Sequence, residues 1–236
     1  MQFTKTTAVR AVFVVCMIVL LNACGSLPEQ RTEQTPPTPA SQAGDDAVPP
    51  PPGLDVSAPD ENPYLAQAPN VPAAARSAFE RAVNAMQAER WRDAEILLQQ
   101  LTINYPQLSG PHLNLGIVYR RQGKLELAEQ AFAKAIEVNS LNLDAYNQLA
   151  LVNREAGNFE TAEKYYRAAL EVWPKHAPSH RNLGILYDLY MGQLEKALRH
   201  FEIYQYLQSE EDRRITGWII DINRRINDSS QAGVQP

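Results

Sequence analysis

Apolar residues recur at helical spacing from about residue 73 onward. Ala78, Phe79, Ala82, Val83 and Met86 form one stripe, and Trp91, Ala94, Leu97, Leu98 and Leu101 form the next. Leu113, Gly116, Ile117 and Arg120 share the face of a third helix, and Leu125, Ala128, Phe132 and Ala135 that of a fourth. Farther on, Ile215, Trp218, Ile219, Ile222 and Ile226 make one apolar face, with Arg213, Arg214, Asp221, Arg224 and Arg225 away from it. The pattern predicts an all-α chain of paired helices with no strands.

The pattern repeats every 34 residues. Leu115, Leu149 and Leu183 keep that step, as do Gly116, Ala150 and Gly184, and Tyr119, Asn153 and Tyr187. So do Ala94, Ala128 and Ala162; Leu98, Phe132 and Tyr166; and Pro106, Ser140 and Pro174. Small residues at these columns let two helices cross closely, and the aromatics fill the gaps beside them. Gly123, Gly157 and Gly192 precede the second helix of each pair, where a left-handed residue ends a helix. Pro106 and Pro174 follow a second helix and stop it. Ala197 and Phe201 come 35 residues after Ala162 and Tyr166, so one residue is inserted around Asp188 to Met191, to be absorbed by a bulge or a longer turn. Arg81 stands where later repeats have leucine, as suits a terminal repeat with one face in water.

A 34-residue period with this residue order resembles the tetratricopeptide repeat family over roughly residues 74 to 208. The resemblance implies a right-handed solenoid of stacked helix pairs with a concave inner surface, made here of about four repeats (near 75–108, 109–142, 143–176 and 177–209 within 73–208). Residues 209–228, opening on Ser209-Glu210-Glu211-Asp212, then read as a helix capping the last repeat. The rival reading of that helix is an amphipathic membrane segment. Residues 229–236 read as a disordered tail.

The amino-terminal quarter has another character. Lys5 and Arg10 precede an apolar run from Ala11 to Leu21, too short for a permanent span, so residues 1–23 read as a targeting segment. The run ends in Leu21-Asn22-Ala23-Cys24, which resembles a bacterial lipobox. That resemblance implies cleavage before Cys24 and its diacylation; the plainer reading is an ordinary signal peptide containing a cysteine. Gly25 is not the aspartate that often retains lipoproteins in the inner membrane, so the expected address is the outer membrane facing the periplasm. Twelve of the chain's 17 prolines lie in residues 25–72, with sparse apolar residues and no periodicity. Residues 24–72 therefore read as a disordered, lipid-anchored linker, whose fully extended path would reach roughly 150 Å. Tyr64-Leu65 is its one apolar spot.

Charge and chemistry narrow the function. With residues 1–23 removed, 20 basic residues face 27 acidic ones, a formal charge of −7, which argues against nucleic acid. Cys16 leaves with the targeting segment and Cys24 would carry lipid, so no thiol chemistry and no cysteine-held metal are expected. Pro178 lies between His176 and His180, which argues against a two-histidine metal site on one helix. No phosphate loop and no nucleophile elbow are present. Glu126, Glu129, Glu160 and Glu163 read as solvated faces paired with nearby lysines. No cofactor and no enzymatic activity are expected.

Recognition remains. In the resembled family the first helix of each pair lines the groove. Carried onto this sequence, that gives Asn114, Ile117 and Arg121; then Asn147, Leu151 and Arg154; then Arg181, Asn182 and Ile185. Asparagines bond a peptide backbone and arginines pair with carboxylates. The lysines of the family's carboxylate clamp have no counterpart. Tyr187, Tyr190, Tyr204 and Tyr206 cluster in the fourth repeat, as core and rim packing or as an aromatic patch for a partner. The expected work is scaffolding, by binding a segment of another envelope protein, and the oligomeric state is open. Lipoproteins of this architecture include pilotins for secretin assembly and adaptors for peptidoglycan-processing enzymes. The expectation is therefore an assembly factor of the pilus or secretin type, with an adaptor recruiting peptidoglycan hydrolases or proteases as the alternative.

Overall fold

Each predicted stripe becomes the buried side of a helix. The computed structural model describes residues 49–67 and 70–232. The expected targeting segment, the expected lipid-attachment position Cys24 and the first part of the expected linker lie outside the described residues. After a four-residue turn of helix, α1 (Pro63–Ala66), four antiparallel pairs follow: α2 (Ala73–Gln87) with α3 (Trp91–Asn104), α4 (Ser109–Arg121) with α5 (Leu125–Val138), α6 (Leu143–Glu155) with α7 (Phe159–Val172), and α8 (Ala177–Leu186) with α9 (Leu194–Tyr206). Each pair packs on the next, and α10 (Arg213–Ala232) closes the stack against α9.

The repeat columns form the core. Ala94, Ala128, Ala162 and Ala197 are fully buried, and so are Leu98, Phe132, Tyr166 and Phe201. A Cβ on Gly116 would overlap the Phe132 ring, and one on Gly184 the Phe201 ring. These two glycines are required by close approach, in helices that alanine would otherwise favour. The core falls into two clusters that meet at α6. Leu149 and Val152 join the first, which is built from α2 to α5, while Ala150 joins the second, with Tyr166, Phe201, Ile215 and Ile222.

The turns between paired helices take the left-handed conformation at Gly123, Gly157 and Gly192, with φ of +75°, +81° and +65°. In the first pair Glu89 occupies the same column at φ +55°, a conformation that costs a side chain about 1 kcal/mol. The inserted residue of the fourth repeat is absorbed in a five-residue π-helical turn, Tyr187–Met191.

The capping helix begins later and ends later than its sequence suggests. Asp212, not Ser209, caps it: its Oδ1 accepts from the backbone N–H of Arg214 and Ile215 at 3.0 and 3.4 Å. The helix runs on to Ala232, and within its last turns the hydroxyls of Ser229 and Ser230 donate back to the Ile226 carbonyl at 2.7 and 2.9 Å. It stands where the first helix of a fifth pair would stand, and Arg225 reaches Asp188 of the π-turn at 2.6 Å.

Residues 49–67, which composition places in the linker, lie against the repeats. They run back along the edge formed by the loops between repeats. Gly53 lies beside Arg199, residues 56–60 meet Trp173 and Lys175, and Tyr64 meets Ser109. We call this segment the strap. Composition misses it because few of its side chains are buried: Val56 and Leu65 are exposed, and the bonds that hold it engage mainly its backbone.

Candidate functional site

The first helices α4, α6 and α8 lie side by side and carry the nine residues assigned to the groove. The structure joins some of them and spends others. Asn182 Nδ2 donates to Asn147 Oδ1 at 3.0 Å, which links α8 to α6. Asn147 is only 8% exposed. Asn114 donates to the Gly110 carbonyl of its own helix at 2.9 Å. Ile117 packs against the first core cluster and Ile185 against the second. Leu151, Arg154 and Arg181 are partly buried, and Arg121 is exposed.

Arg154 differs from its counterparts. In the preceding repeat, Arg120 Nε donates to Glu155 Oε2 at 2.9 Å, and the two groups form an ion pair between α4 and α6. In the following one, Asp188 pairs with Arg225. Arg154 occupies the same column between them, and no carboxylate faces it among the described residues. The extra residue of the π-turn puts Tyr190 there instead, with its ring centroid 5.6 Å from the guanidinium and 5.0 Å from the Phe159 ring. An aromatic face attracts a cation but accepts no ordinary hydrogen bond. Arg154 Nη1 is accordingly buried without an acceptor, and so is the hydroxyl of Tyr166. Burial pushes Tyr166 up to about 12.

Behind this end of the groove, three histidines pack around α8. His180 Nε2 lies 2.9 Å from the Pro174 carbonyl, so that nitrogen carries the proton. Its Nδ1 therefore accepts from His200 Nδ1, 2.9 Å away, and both rings are neutral. His176 Nδ1 meets Ser179 Oγ at 2.8 Å. Burial, followed by the neighbouring His180, lowers His176 to about 4; the same two causes, with nearby Arg199, Arg167 and Lys196, lower His200 to about 3. Among the described residues no three histidine, cysteine or acidic side chains gather as metal ligands. None of the described helices is long and apolar enough to cross a membrane.

Comparison with known families agrees with this architecture. Two models described as tetratricopeptide repeat match residues 79–140 and 141–202, and together they span just over half of the chain. The chain belongs to the tetratricopeptide repeat family. Among solved structures it is similar to PilF of Pseudomonas aeruginosa, at 19% identity, with 66% of this chain and 70% of that one covered and a TM-score of 0.59. It is also similar to MamA of Desulfovibrio magneticus RS-1, at 19% identity, 69% and 90% coverage and a TM-score of 0.56. A tetratricopeptide repeat protein of Parabacteroides merdae gives 20%, 66%, 63% and 0.54 in the same order. At these identities the likeness is one of fold. No curated protein matches the chain.

Three functional candidates escape sequence reasoning. The Arg154–Tyr190 contact depends on the π-turn, and only the 35-residue spacing of Arg120 and Glu155 hints that position 154 is the exception. The His180–His200 pair crosses from α8 to α9. The strap contacts of Trp173 and Lys175 span more than a hundred residues of sequence.

Proposed function

We propose that this chain is a lipid-anchored scaffold of the bacterial cell envelope, one that holds a segment of another envelope protein along its groove and so aids assembly of a pilus- or secretin-type complex. It is a binding protein, not an enzyme. Membership of a repeat family built for protein contacts supports the binding role. The lipobox-like Leu21-Asn22-Ala23-Cys24 supports the anchor at Cys24 and, with Gly25, the outer membrane. The observation that carries the groove reading is Arg154: a partly buried guanidinium, in a column of ion pairs, with no carboxylate of the described chain to meet it. A partner's acidic side chain reaching the Arg154 guanidinium would complete the column.

The test is crosslinking and capture from intact cells, with the full chain as bait. Asn147 is buried and bonded within the fold, so the informative control is Arg154→Gln with Arg181→Gln. A secretin or pilus component captured by the wild type and lost in the double variant is the expected result, with loss of that machine's multimers on deletion. Capture of a peptidoglycan hydrolase instead would turn the reading to an enzyme-recruiting adaptor. Equal capture by both baits would remove the groove assignment.

A further inference from the structure

The middle of the strap is held by two side chains that have no counterpart in the other repeats. Lys175 Nζ donates to the carbonyls of Val56 and Ala58 at 3.2 and 2.5 Å and to the carboxylate of Asp60 at 2.7 Å, which uses all three of its hydrogens. Trp173 Nε1 donates to the Pro59 carbonyl at 2.8 Å. Lys175 is mostly buried, its side chain 13% exposed. One repeat earlier the same two positions are Asn139 and Leu141, and two repeats earlier Tyr105 and Gln107. The solenoid is built at those junctions without an indole N–H or an ammonium, so Trp173 and Lys175 are not needed for stacking.

These donors read an extended backbone. Three of the four bonds go to carbonyls, and only the one to Asp60 reads a side chain. Proline suits such an occupant, because it keeps the chain extended and leaves its carbonyls free. The flank of the clamp has a sign. A cleft of about 460 Å³ lies beside it between α7 and α9, where Arg167, Lys196 and Arg199 outnumber Glu171, and the strap lays Asp55 across this cleft. Asp55 also folds back on Ser57, whose backbone N–H and hydroxyl donate to it at 2.9 and 2.6 Å. The surface thus favours an extended segment rich in proline and acid.

We propose that the Trp173–Lys175 edge is a docking surface for acidic, proline-containing extended segments, and that this chain covers it with its own residues 56–60 until a partner protein's segment of the same chemistry displaces them. The strap suits such an exchange. None of its side chains is fully buried, Val56 and Leu65 are exposed and its contacts are few, so it belongs to the low-stability end of the molecule. As part of the same chain it competes at an effective concentration on the order of millimolar, which turns away weak ligands and admits strong ones. Displacement would free residues 49–60, with Tyr64 still on Ser109, and lengthen the segment ahead of α2 by up to roughly 40 Å. Capture and reach would then be coupled. The surface lies outside the groove and stands or falls independently of it.

The test uses the full chain and a fluorescein-labelled peptide of residues 49–66. Asp55→Asn with Asp60→Asn loosens the attached strap, so this variant should bind the peptide about tenfold more tightly than the wild type. Adding Lys175→Met or Trp173→Phe to it should weaken binding by about tenfold; Trp173→Phe removes little more than the N–H and serves if Lys175→Met fails to fold. A decapeptide of alternating proline and aspartate should compete. No binding to the loosened chain, or binding indifferent to both clamp variants, would overturn the proposal. Failure of the decapeptide to compete would confine the surface to the chain's own strap and remove the partner. Arg154→Gln with Arg181→Gln should leave peptide binding unchanged; if it abolished binding, the peptide would be in the groove, and the groove reading would survive while this one would not.

Discussion

The junction between the second and third repeats and the junction between the third and fourth are built from the same columns, yet they differ in almost every polar contact. At the earlier one several polar groups find partners across the junction, although Gln122 and Gln148 each keep a buried oxygen without one. Arg120 pairs with Glu155, buried Asn142 donates to Ser109 at 3.2 Å, and Asn142 also caps α6 by accepting from the Ala145 N–H at 3.1 Å. At the later one His176 replaces Asn142, Tyr190 stands where an acid would meet Arg154, and Trp173 and Lys175 replace Asn139 and Leu141. Both junctions bury their apolar columns equally well. Stacking needs the alanines and aromatics and little else, which leaves the polar positions free to specialise. The later junction is where this chain departs from its own repeat, and departures of that kind concentrate at functional or strained sites.

Acidification should separate the two junctions most strongly. His176 and His200 have folded pKa values below that of a free histidine, so the unfolded chain binds more protons between about pH 6.5 and the folded values. The stability they contribute is complete above about pH 6.5 and declines as pH falls through that window, by about 2 kcal/mol for His176 at pH 5. Asp144 lies 4.0 Å from His176 Nε2, but its side chain is largely exposed and recovers little. Arg167, Lys196 and Arg199 all oppose a charge on His200. Urea midpoints at pH 7.5 and pH 5 should fall in the wild type, and His176→Asn, which installs the earlier junction's residue, should flatten the dependence. An unchanged dependence in that variant would mean that other groups carry it.

Tyr166→Phe is next in size. Phe132 and Phe201 fill the same column without a hydroxyl, whereas the Tyr166 hydroxyl is buried with no partner among the described residues. Its removal should stabilise the protein by about 1 kcal/mol, read as a higher thermal midpoint. A lower midpoint would show that the hydroxyl has a partner after all.

Much of this was legible in the chain. The 34-residue columns carry the core, and the glycines before each second helix do adopt positive φ. The one-residue surplus near Asp188 announced an irregular turn. What stayed hidden is side-chain direction and partner choice. Asn114 and Asn147 sit at groove positions, but one bonds its own helix and the other is buried against Asn182, and helical position alone does not distinguish these from a free amide. The strap was hidden for another reason. Composition reports whether a segment can build a core, and residues 49–67 cannot; they are held instead by donors from Trp173 and Lys175 that read carbonyls, and every sequence has carbonyls.

Glu155→Gln should weaken the earlier junction by less than about 1 kcal/mol, since both partners are partly solvated. Arg154→Gln should change the later junction little, because losing the cation–π contact with Tyr190 is offset by removing a buried donor that lacks an acceptor. Comparing the two by chemical denaturation isolates the ion pair from the helix that carries it. A larger loss for Arg154→Gln than for Glu155→Gln would reveal an internal acceptor for Arg154, and the groove reading would lose its main support.

The smallest change in stability is expected to have the clearest functional signature. Tyr190→Glu places a carboxylate where Glu155 stands for Arg120, and should add a few tenths of a kcal/mol as a surface pair. Tyr190→Gln is the matched control, since both remove the ring and only the first neutralises the guanidinium. If a partner's acid uses Arg154, Tyr190→Glu should abolish capture in cells while Tyr190→Gln retains part of it. Equal capture by the two would mean that the ring, or neither group, makes the contact. With Tyr190→Glu the later junction regains the arginine–carboxylate pair of the earlier one, and a protein that then stacks normally but no longer captures its partner would show that the break in that column is what the partner recognises.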